Sequence, residues 1–361
     1  MKIDNIHYDP SELDGYQKTF NLVVSPREAG KTTALLRKAY KLFVENGKST
    51  VILRRRIADI TDVYVADLGT VIDKFQPDDN QIKMVYKKGG IKDGVIDVYL
   101  YEDKPQGKKI GTGPIFRVVA LSAPMSRIKS TILRNVGLMI FDEFICNVRC
   151  NEKYLTGEAF IFREIYNTYV RECPGLKVWF LGNAYSLYTP YTAWLKVPTN
   201  KLKPGSIVSG PNWVMQCYDL KPELKEQILK NNPLYQFDDT YSRYAFSGEA
   251  INDTNILVLP TLPRGFTLRY VFKIEQKYVG YWYGTDDLAP TGWWASIVEW
   301  DQKYRRTAWC FDFDNLGEGS MIIGDDSRVM LRPLALAVQQ RNISFKDIEA
   351  SYLTEDIYPL I

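Results

Sequence analysis

Residues 21 to 53 constrain this chain more than any other stretch. Asn21-Leu-Val-Val-Ser25 is an apolar run of the length of a buried strand, and Lys31 to Asn46 repeats apolar residues at helical spacing through Ala34, Leu35, Ala39, Leu42 and Phe43. Gly47 supplies a helix stop, and Thr50-Val-Ile-Leu53 is a second strand. Strand, turn, helix and strand in that order predict a βαβ unit, the building block of a parallel sheet.

The turn inside this unit reads Ser25-Pro-Arg27-Glu28-Ala29-Gly30-Lys31-Thr32-Thr33. In such a loop the backbone N–H groups face phosphate oxygens, and the helix N-terminus adds positive potential. Gly30 permits close backbone approach, Lys31 reaches the β- and γ-phosphates, and the Thr32 hydroxyl suits Mg²⁺. Ser25 stands where the leading glycine of the usual phosphate-loop pattern would be. A bare Gly-Lys-Ser/Thr tripeptide arises by chance in about one chain in ten of this length. The flanking strand and helix therefore carry the assignment, and the expected ligand is a nucleotide with Mg²⁺, which the resemblance described below makes ATP.

Further buried strands are expected at Ile115 to Leu121, Val136 to Phe141 and Leu176 to Leu181, and an amphipathic helix at Glu158 to Glu172. Ile82 to Tyr86 and Val95 to Tyr101 alternate like antiparallel strands around a Gly- and Lys-rich turn, which predicts a basic hairpin projecting from the sheet. Pro and Gly between Lys196 and Pro211 suggest a boundary, with a charged helix at Pro222 to Asn231 beyond it. Leu268 to Gly284, Trp293 to Trp300 and Thr307 to Asp314 look β-rich, and helical pattern returns at Leu334 to Gln340 and Phe345 to Tyr352.

The strand Val136-Gly-Leu-Met-Ile-Phe141 ends in Asp142-Glu143. Carboxylates at the C-terminal end of a parallel strand stand at the ligand-binding rim of an open α/β sheet. Asp142 is the candidate Mg²⁺ residue beside Thr32, and Glu143 the candidate general base that orients the attacking water. Adjacent Asp-Glu points to NTP hydrolysis rather than to a small-molecule kinase, which needs no water-activating glutamate. Phe180-Leu-Gly182-Asn183 ends the next strand; Asn183 reads equally as a sensor of the γ-phosphate or as part of a strand-ending turn. Tyr16 and Gln17, just before the first strand, are candidate base contacts.

Composition removes other classes. With a single histidine, His7, a His-rich zinc site or a two-histidine iron site is excluded, and a Ser-His-Asp centre is improbable. Five irregularly spaced cysteines do not read as a disulfide framework. Lys and Arg number 46 against 43 Asp and Glu, a net charge of +3, so any nucleic-acid contact rests on a local patch. The N-terminus lacks an apolar signal core and no apolar run approaches a membrane span, so a soluble, intracellular protein without membrane contact is expected.

Together, Ser25 to Thr33 with an arginine early in the loop, Arg54-Arg55-Arg56 after the second strand, Ile128-Lys129-Ser130, Asp142-Glu143 and Gly182-Asn183 resemble the viral DNA-packaging ATPases, the large terminases, over roughly the first 200 residues. Chain length and the C-terminal region look most like the small-podophage branch typified by phi-twenty-nine. The resemblance implies an α/β fold: a P-loop (ASCE/RecA-like) parallel-sheet ATPase domain over 1–205, a linker or small helical subdomain over 206–260, and a smaller α+β RNase-H-like domain over 261–361. It implies a homo-oligomeric ring, of five subunits in that branch, docked on a viral portal and driving double-stranded DNA into a procapsid in the host cytoplasm, with or without a packaging RNA. It also implies a basic residue acting on the neighbouring subunit's ATP; the candidates are Lys129, Arg127 and Arg171, with Arg149 and Arg163 behind them, and Lys129 and Arg171 are favoured.

In the large terminases the C-terminal domain is a two-metal nuclease. Here Lys277-Tyr-Val-Gly-Tyr-Trp-Tyr-Gly284 is taken as its opening strand, and aromatics occupy the place of the first carboxylate. Asp286, Asp287, Asp312 and Asp314 read as turn and strand-end residues, so a vestigial domain without nuclease activity is expected. A translocating ring needs cations along its pore to track phosphates. The candidates are Arg55, Arg56, Lys87, Lys88, Lys92, Lys104, Lys108 and Lys109.

Overall fold

The computed structural model describes residues 6–75, 82–86, 90–104, 106–147, 150, 152–187, 189–233, 257–274, 277–286, 291–299, 308–310, 320–340 and 342–357. The chain is a mixed α/β protein with two compact units, one of Met1–Leu187 and Trp194–Ile251, the other of Tyr188–Ala193 and Asn252–Ile361.

Among the described residues the first unit carries ten strands: β1 (Phe20–Ser25), β2 (Ser49–Arg54), β3 (Ile82–Tyr86), β4 (Val95–Glu102), β5 (Lys109–Ile110), β6 (Phe116–Ala120), β7 (Val136–Asp142), β8 (Lys177–Asn183), β9 (Ile207–Ser209) and β10 (Trp213–Cys217). Their order is β3-β4-β6-β2-β7-β8-β1-β10-β9, with β5 paired to β4. From β6 to β10 every neighbour is parallel. β8 lies between β1 and β7, so Ser25 pairs with Asn183 and Asp142 with Leu181, and the chemistry-bearing ends of three strands meet at one rim. The strands are apolar because both sheet faces are covered. Phe162, on the helix Glu158–Glu172, packs 5.0 Å from Phe180 of β8, while Leu35, Leu36, Ala39 and Phe43 form the buried stripe of the helix Lys31–Asn46. That helix ends as expected: Gly47 stands at φ +65°, its N–H donates to the Phe43 carbonyl, and the Lys48 N–H donates to the Leu42 carbonyl.

The hairpin β3–β4 forms, but it does not project. β4 pairs antiparallel with β6, from Val95↔Val119 to Val98↔Phe116, so the hairpin continues the sheet as its edge. The reason lies in its alternation: Ile96, Val98 and Leu100 need a covered face and find one in the sheet. Residues 207–217, in the stretch expected to be a linker or small helical subdomain (206–260), supply β9 and β10, and β10 pairs directly with β1.

The second unit carries β11 (Thr267–Ile274), β12 (Lys277–Tyr283), β13 (Trp293–Val298), β14 (Ala308–Cys310), β15 (Ser320–Ile322) and β16 (Ile343–Phe345), ordered β15-β14-β11-β12-β13-β16. β11, β12 and β13 are antiparallel, and β14, β15 and β16 add in parallel. Among the described residues the sheet's first strand in sequence is thus β11, not Lys277 to Gly284, and β11 contains no Asp or Glu. Phe272, Val279, Tyr281, Ala295, Leu331 and Leu334 are fully or almost fully buried in its core. The helix Asp325–Gln339 begins nine residues before the expected Leu334, and Pro333 lies inside it. Exposed Val329 and Met330 beside buried Leu331 blur the apolar stripe there, which hid the helix start. Phe345 belongs to β16, and the last helix is Ile348–Ile357. No helix among the described residues is long and apolar enough to cross a membrane.

Candidate nucleotide site

The loop after β1 turns on two left-handed residues, Glu28 at φ +62° and Gly30 at φ +84°. Gly30 suits the left-handed conformation, and a Cβ there would also come tightly against the His7 ring, at 3.1 Å. The N-terminal segment is tied to the same loop, since Tyr8 N–H donates to the Ala29 carbonyl at 2.9 Å.

Lys31 is 8% exposed. Its ammonium donates to Ser25 Oγ at 2.6 Å, Asn183 Oδ1 at 3.3 Å and the Pro26 carbonyl at 3.4 Å. Three donors meet three acceptors, which satisfies a buried cation. Burial pushes the Lys31 pKa down to about 8; Arg27 acts in the same sense, and Asp142 and Glu143 oppose it. Ser25, in the place of the customary glycine, thus gives the lysine its shortest contact. Arg27 Nη2 donates to the Tyr185 hydroxyl at 2.6 Å, Ala29 is buried, and Thr33 is exposed at the helix start.

Thr32 Oγ1 lies 3.2 and 3.3 Å from the two carboxylate oxygens of Asp142. Burial raises the Asp142 pKa, and neighbouring Glu143 adds to the rise; Arg54 and Lys31 oppose both. A hydroxyl and a carboxylate in contact are the hard oxygen donors Mg²⁺ takes from a protein while phosphates and water complete its shell, so the residues fit that ion.

Glu143 follows the strand at φ +60°, which for a side chain with a Cβ costs about 1–2 kcal/mol. In an unbroken strand Asp142 and Glu143 would face opposite sides of the sheet. The left-handed turn brings both carboxylates to one guanidinium instead: Arg54 Nη2 is 2.8 Å from Glu143 Oε2, and Nη1 is 3.9 Å from Asp142 Oδ2. Sequence reasoning missed Arg54 as a site residue. Its signal was its place at the end of β2, the strand beside β7. Gly182 has a steric role: a Cβ there would come within 2.8 Å of Phe144 and Ile145, the residues following Glu143.

A cleft of about 260 Å³ is lined by Glu28 to Thr33, Asp142, Glu143, Gly182 and Asn183. Next to it, sharing Glu28, Gly30 and Thr33, is a cavity of about 740 Å³ lined by His7, Tyr8, Asp9, Arg37 and Lys41 among others. Tyr16 and Gln17 line neither; Tyr16 is 42% exposed, and Gln17 donates to the Asp14 carbonyl.

Among the described residues, none of the remaining candidates lines this cleft. Lys129, paired to Glu164 at 3.2 Å, and Arg171 are exposed, as are Arg127 and Arg163. Arg149 lies outside the described residues. Arg56, Lys92, Lys104, Lys108 and Lys109 are exposed, with Lys109 Nζ 4.2 Å from the Tyr99 ring centre. Lys87 and Lys88 fall outside the described residues. Arg55 does not belong on a DNA-facing patch: it is buried, and its guanidinium is spent on its own chain. Of the C-terminal carboxylates, Asp286 accepts a bond from Arg264 N–H at 2.9 Å; Asp287, Asp312 and Asp314 are outside the described residues.

No family model matches the sequence, and neither does any curated protein. Solved structures do match. The gp11 DNA-packaging motor of Phi-28 is 16% identical, covers 99% of this chain and 98% of its own, and superposes with a TM-score of 0.66. The viral genome packaging motor assembly of bacteriophage Phi-29 is 18% identical over 98% of this chain and 99% of the other, with a TM-score of 0.62. Over nearly its whole length the chain therefore has the fold of these two packaging-motor chains, in line with the resemblance carried by its phosphate-loop and Asp142-Glu143 residues.

Proposed function

We propose that the chain is the ATP-hydrolysing subunit of a motor that drives double-stranded DNA into a viral procapsid. One observation carries this reading: Lys31, Thr32, Asp142, Glu143 and Asn183 line one cleft at the ends of β1, β7 and β8, in a chain with the fold of packaging motors. The first unit acts as a P-loop ATPase domain. Its loop residues from Ser25 to Thr33 embrace the phosphates, and base and ribose enter the cavity beside His7 and Tyr8. Lys31 exchanges its contacts with Ser25 and Asn183 for β- and γ-phosphate oxygens. Thr32 and Asp142 would hold Mg²⁺, whose bound charge neutralises phosphate. Glu143 accepts the proton of the attacking water, for which its carboxylate must leave Arg54.

Lys129 and Arg171, both exposed, complete a neighbouring subunit's site in a ring seated on a portal; a cation supplied in trans is worth about 10³- to 10⁵-fold in turnover in comparable sites. Arg56, Lys92, Lys104, Lys108 and Lys109 supply sequence-independent phosphate contacts. The second unit is an RNase-H-like domain without nuclease activity, for its first strand carries no carboxylate. The deciding experiment is steady-state ATP turnover with and without double-stranded DNA, for the native chain and for Glu143→Ala. DNA-stimulated turnover that Glu143→Ala abolishes while ATP still binds is the expected result. Equal turnover in the two proteins would remove Glu143 from the chemistry, and turnover indifferent to DNA would remove the motor.

A further inference from the structure

Arg54 and Arg55 are adjacent, and adjacent side chains at a strand end take opposite directions. Arg54 meets the carboxylate of Glu143; Arg55 meets its backbone. Nη1 of Arg55 donates to the Glu143 carbonyl at 3.1 Å and Nη2 to the Phe144 carbonyl at 2.8 Å, so one planar guanidinium spans two consecutive peptide units. Nε donates to Glu158 Oε2 at 2.9 Å, and the same oxygen accepts Leu155 N–H at 2.8 Å. Arg55 also lies over the rings of Tyr154 and Phe141, at 5.2 and 5.6 Å. Both charges are buried, Glu158 with its side chain wholly inaccessible. A buried ion pair is not needed to hold a fold together, because apolar side chains can serve as well. This one is fastened to the residue whose backbone is left-handed.

We infer that the Arg55–Glu158 pair is a positioning device for Glu143, holding its peptide in the left-handed turn that brings its carboxylate to the same side as Asp142. The inference rests on the reading of Glu143 as the general base. Arg55 touches neither ATP nor water in this role. It acts through the carbonyls of Glu143 and Phe144, and the rigid fork of arginine is what the geometry uses; the point charge of lysine can pair with Glu158 but cannot span two carbonyls and a carboxylate together.

The test is Arg55→Lys in the full chain, assayed for turnover and for equilibrium ATP affinity, and repeated in a Glu143→Gln background. The expected result is a kcat at least tenfold lower with the ATP Kd unchanged within twofold, and no further loss of the residual turnover when Glu143→Gln is already present. A native kcat for Arg55→Lys overturns the inference. So does an equal fractional loss in the Glu143→Gln background, or a parallel loss of ATP affinity, either of which is the mark of a merely structural residue. Should Arg55→Lys fail to fold, Glu158→Gln takes its place, with a kcat about threefold lower at unchanged Kd expected and an unchanged kcat overturning the inference. If Glu143→Gln itself turns over like the native chain, the reading of Glu143 falls and this inference with it; if that variant is inactive and Arg55→Lys is not, only the positioning role falls.

Discussion

The two sheets of this protein place their polar atoms in opposite ways. In the first unit six parallel strands run together, so the ends of β1, β7, β8 and β2 deliver Lys31, Asp142, Glu143, Asn183 and Arg54 to one rim. In the second, β11, β12 and β13 run antiparallel, and their side chains go into ring packing: Tyr270 stacks on Trp293 at 5.9 Å, Phe272 meets Tyr281 edge-on at 5.4 Å, and Trp282 meets Trp294 at 5.0 Å. Neighbouring parallel strands end on the same side and can pool their terminal residues, whereas alternating directions scatter them. Chemistry at the first rim and stability in the second core should therefore separate cleanly under mutation.

The largest expected effect is at the rim. Lys31→Ala removes the cation expected to reach the transferred phosphate and should lower ATP turnover by about 10³-fold or more. Its melting temperature should stay near the native value or rise, because a desolvated charge is removed. Turnover within tenfold of native would break the comparison at its strongest point. Next in size is the core. Phe272→Ala should cost about 3–5 kcal/mol in the unfolding of the second unit, read by calorimetry or denaturant titration. ATP affinity should stay within twofold of native; a coupled loss of affinity would show that the two regions are not energetically separate.

Much of the first region was legible because local signals agreed. The apolar run before Ser25, the helical spacing from Lys31 to Asn46 and Gly47 all point the same way, and the helices Lys31–Asn46 and Glu158–Glu172 have the boundaries the periodicity gives them. What escaped was set by tertiary partners. β10 is five residues whose place follows from β1, far away in sequence. Arg55 reads with Arg56 as a patch for phosphate and Arg54 as the end of a strand, yet Arg54 and Arg55 are both consumed within the chain, because β7 alongside ends in one carboxylate and is followed by another, in a left-handed turn whose carbonyls need donors. A sequence shows the charges but not which neighbour consumes them. The second unit was legible as β-rich from its aromatics, whereas strand identity was displaced by one, since β11 and β12 are both aromatic-rich and only pairing tells which comes first in the sheet.

A smaller effect follows from the burial of Lys31, whose pKa stands at about 8, below its ordinary value near 10.5. In the ATP-free chain the ammonium loses its proton as pH rises through that value. Phosphate contact favours the charged form, so binding above pH 8 takes up a proton. The ATP Kd should be nearly flat from pH 6.5 to 7.5 and rise by up to tenfold per unit above about pH 8. Calorimetry at pH 8.5 in two buffers of different ionisation enthalpy checks the sign: proton uptake is expected, and release would mean that Lys31 does not meet the phosphates.

The smallest effect is the removal of one oxygen from the aromatic core. Tyr281 is fully buried in β12, and its hydroxyl lies 2.8 Å from Thr354 Oγ1, which itself donates to the Ala350 carbonyl at 2.8 Å. In Tyr281→Phe the ring remains against Phe272, and Thr354 keeps its bond to the helix, so no buried donor is stranded. The cost should be about 1 kcal/mol, the net worth of an ordinary hydrogen bond, with ATP turnover unchanged. At the rim the corresponding minimal change, Thr32→Val, also deletes a hydroxyl from a contact, here with Asp142 at 3.2 Å. It should leave stability within about 1 kcal/mol and lower turnover by tenfold or more, since that oxygen is a proposed Mg²⁺ ligand. Two hydroxyl deletions of equal chemical size then separate the regions: one registers in the unfolding curve alone, the other in turnover. If Tyr281→Phe reduces turnover as Thr32→Val does, the second sheet takes part in the catalytic cycle and is more than a packed support.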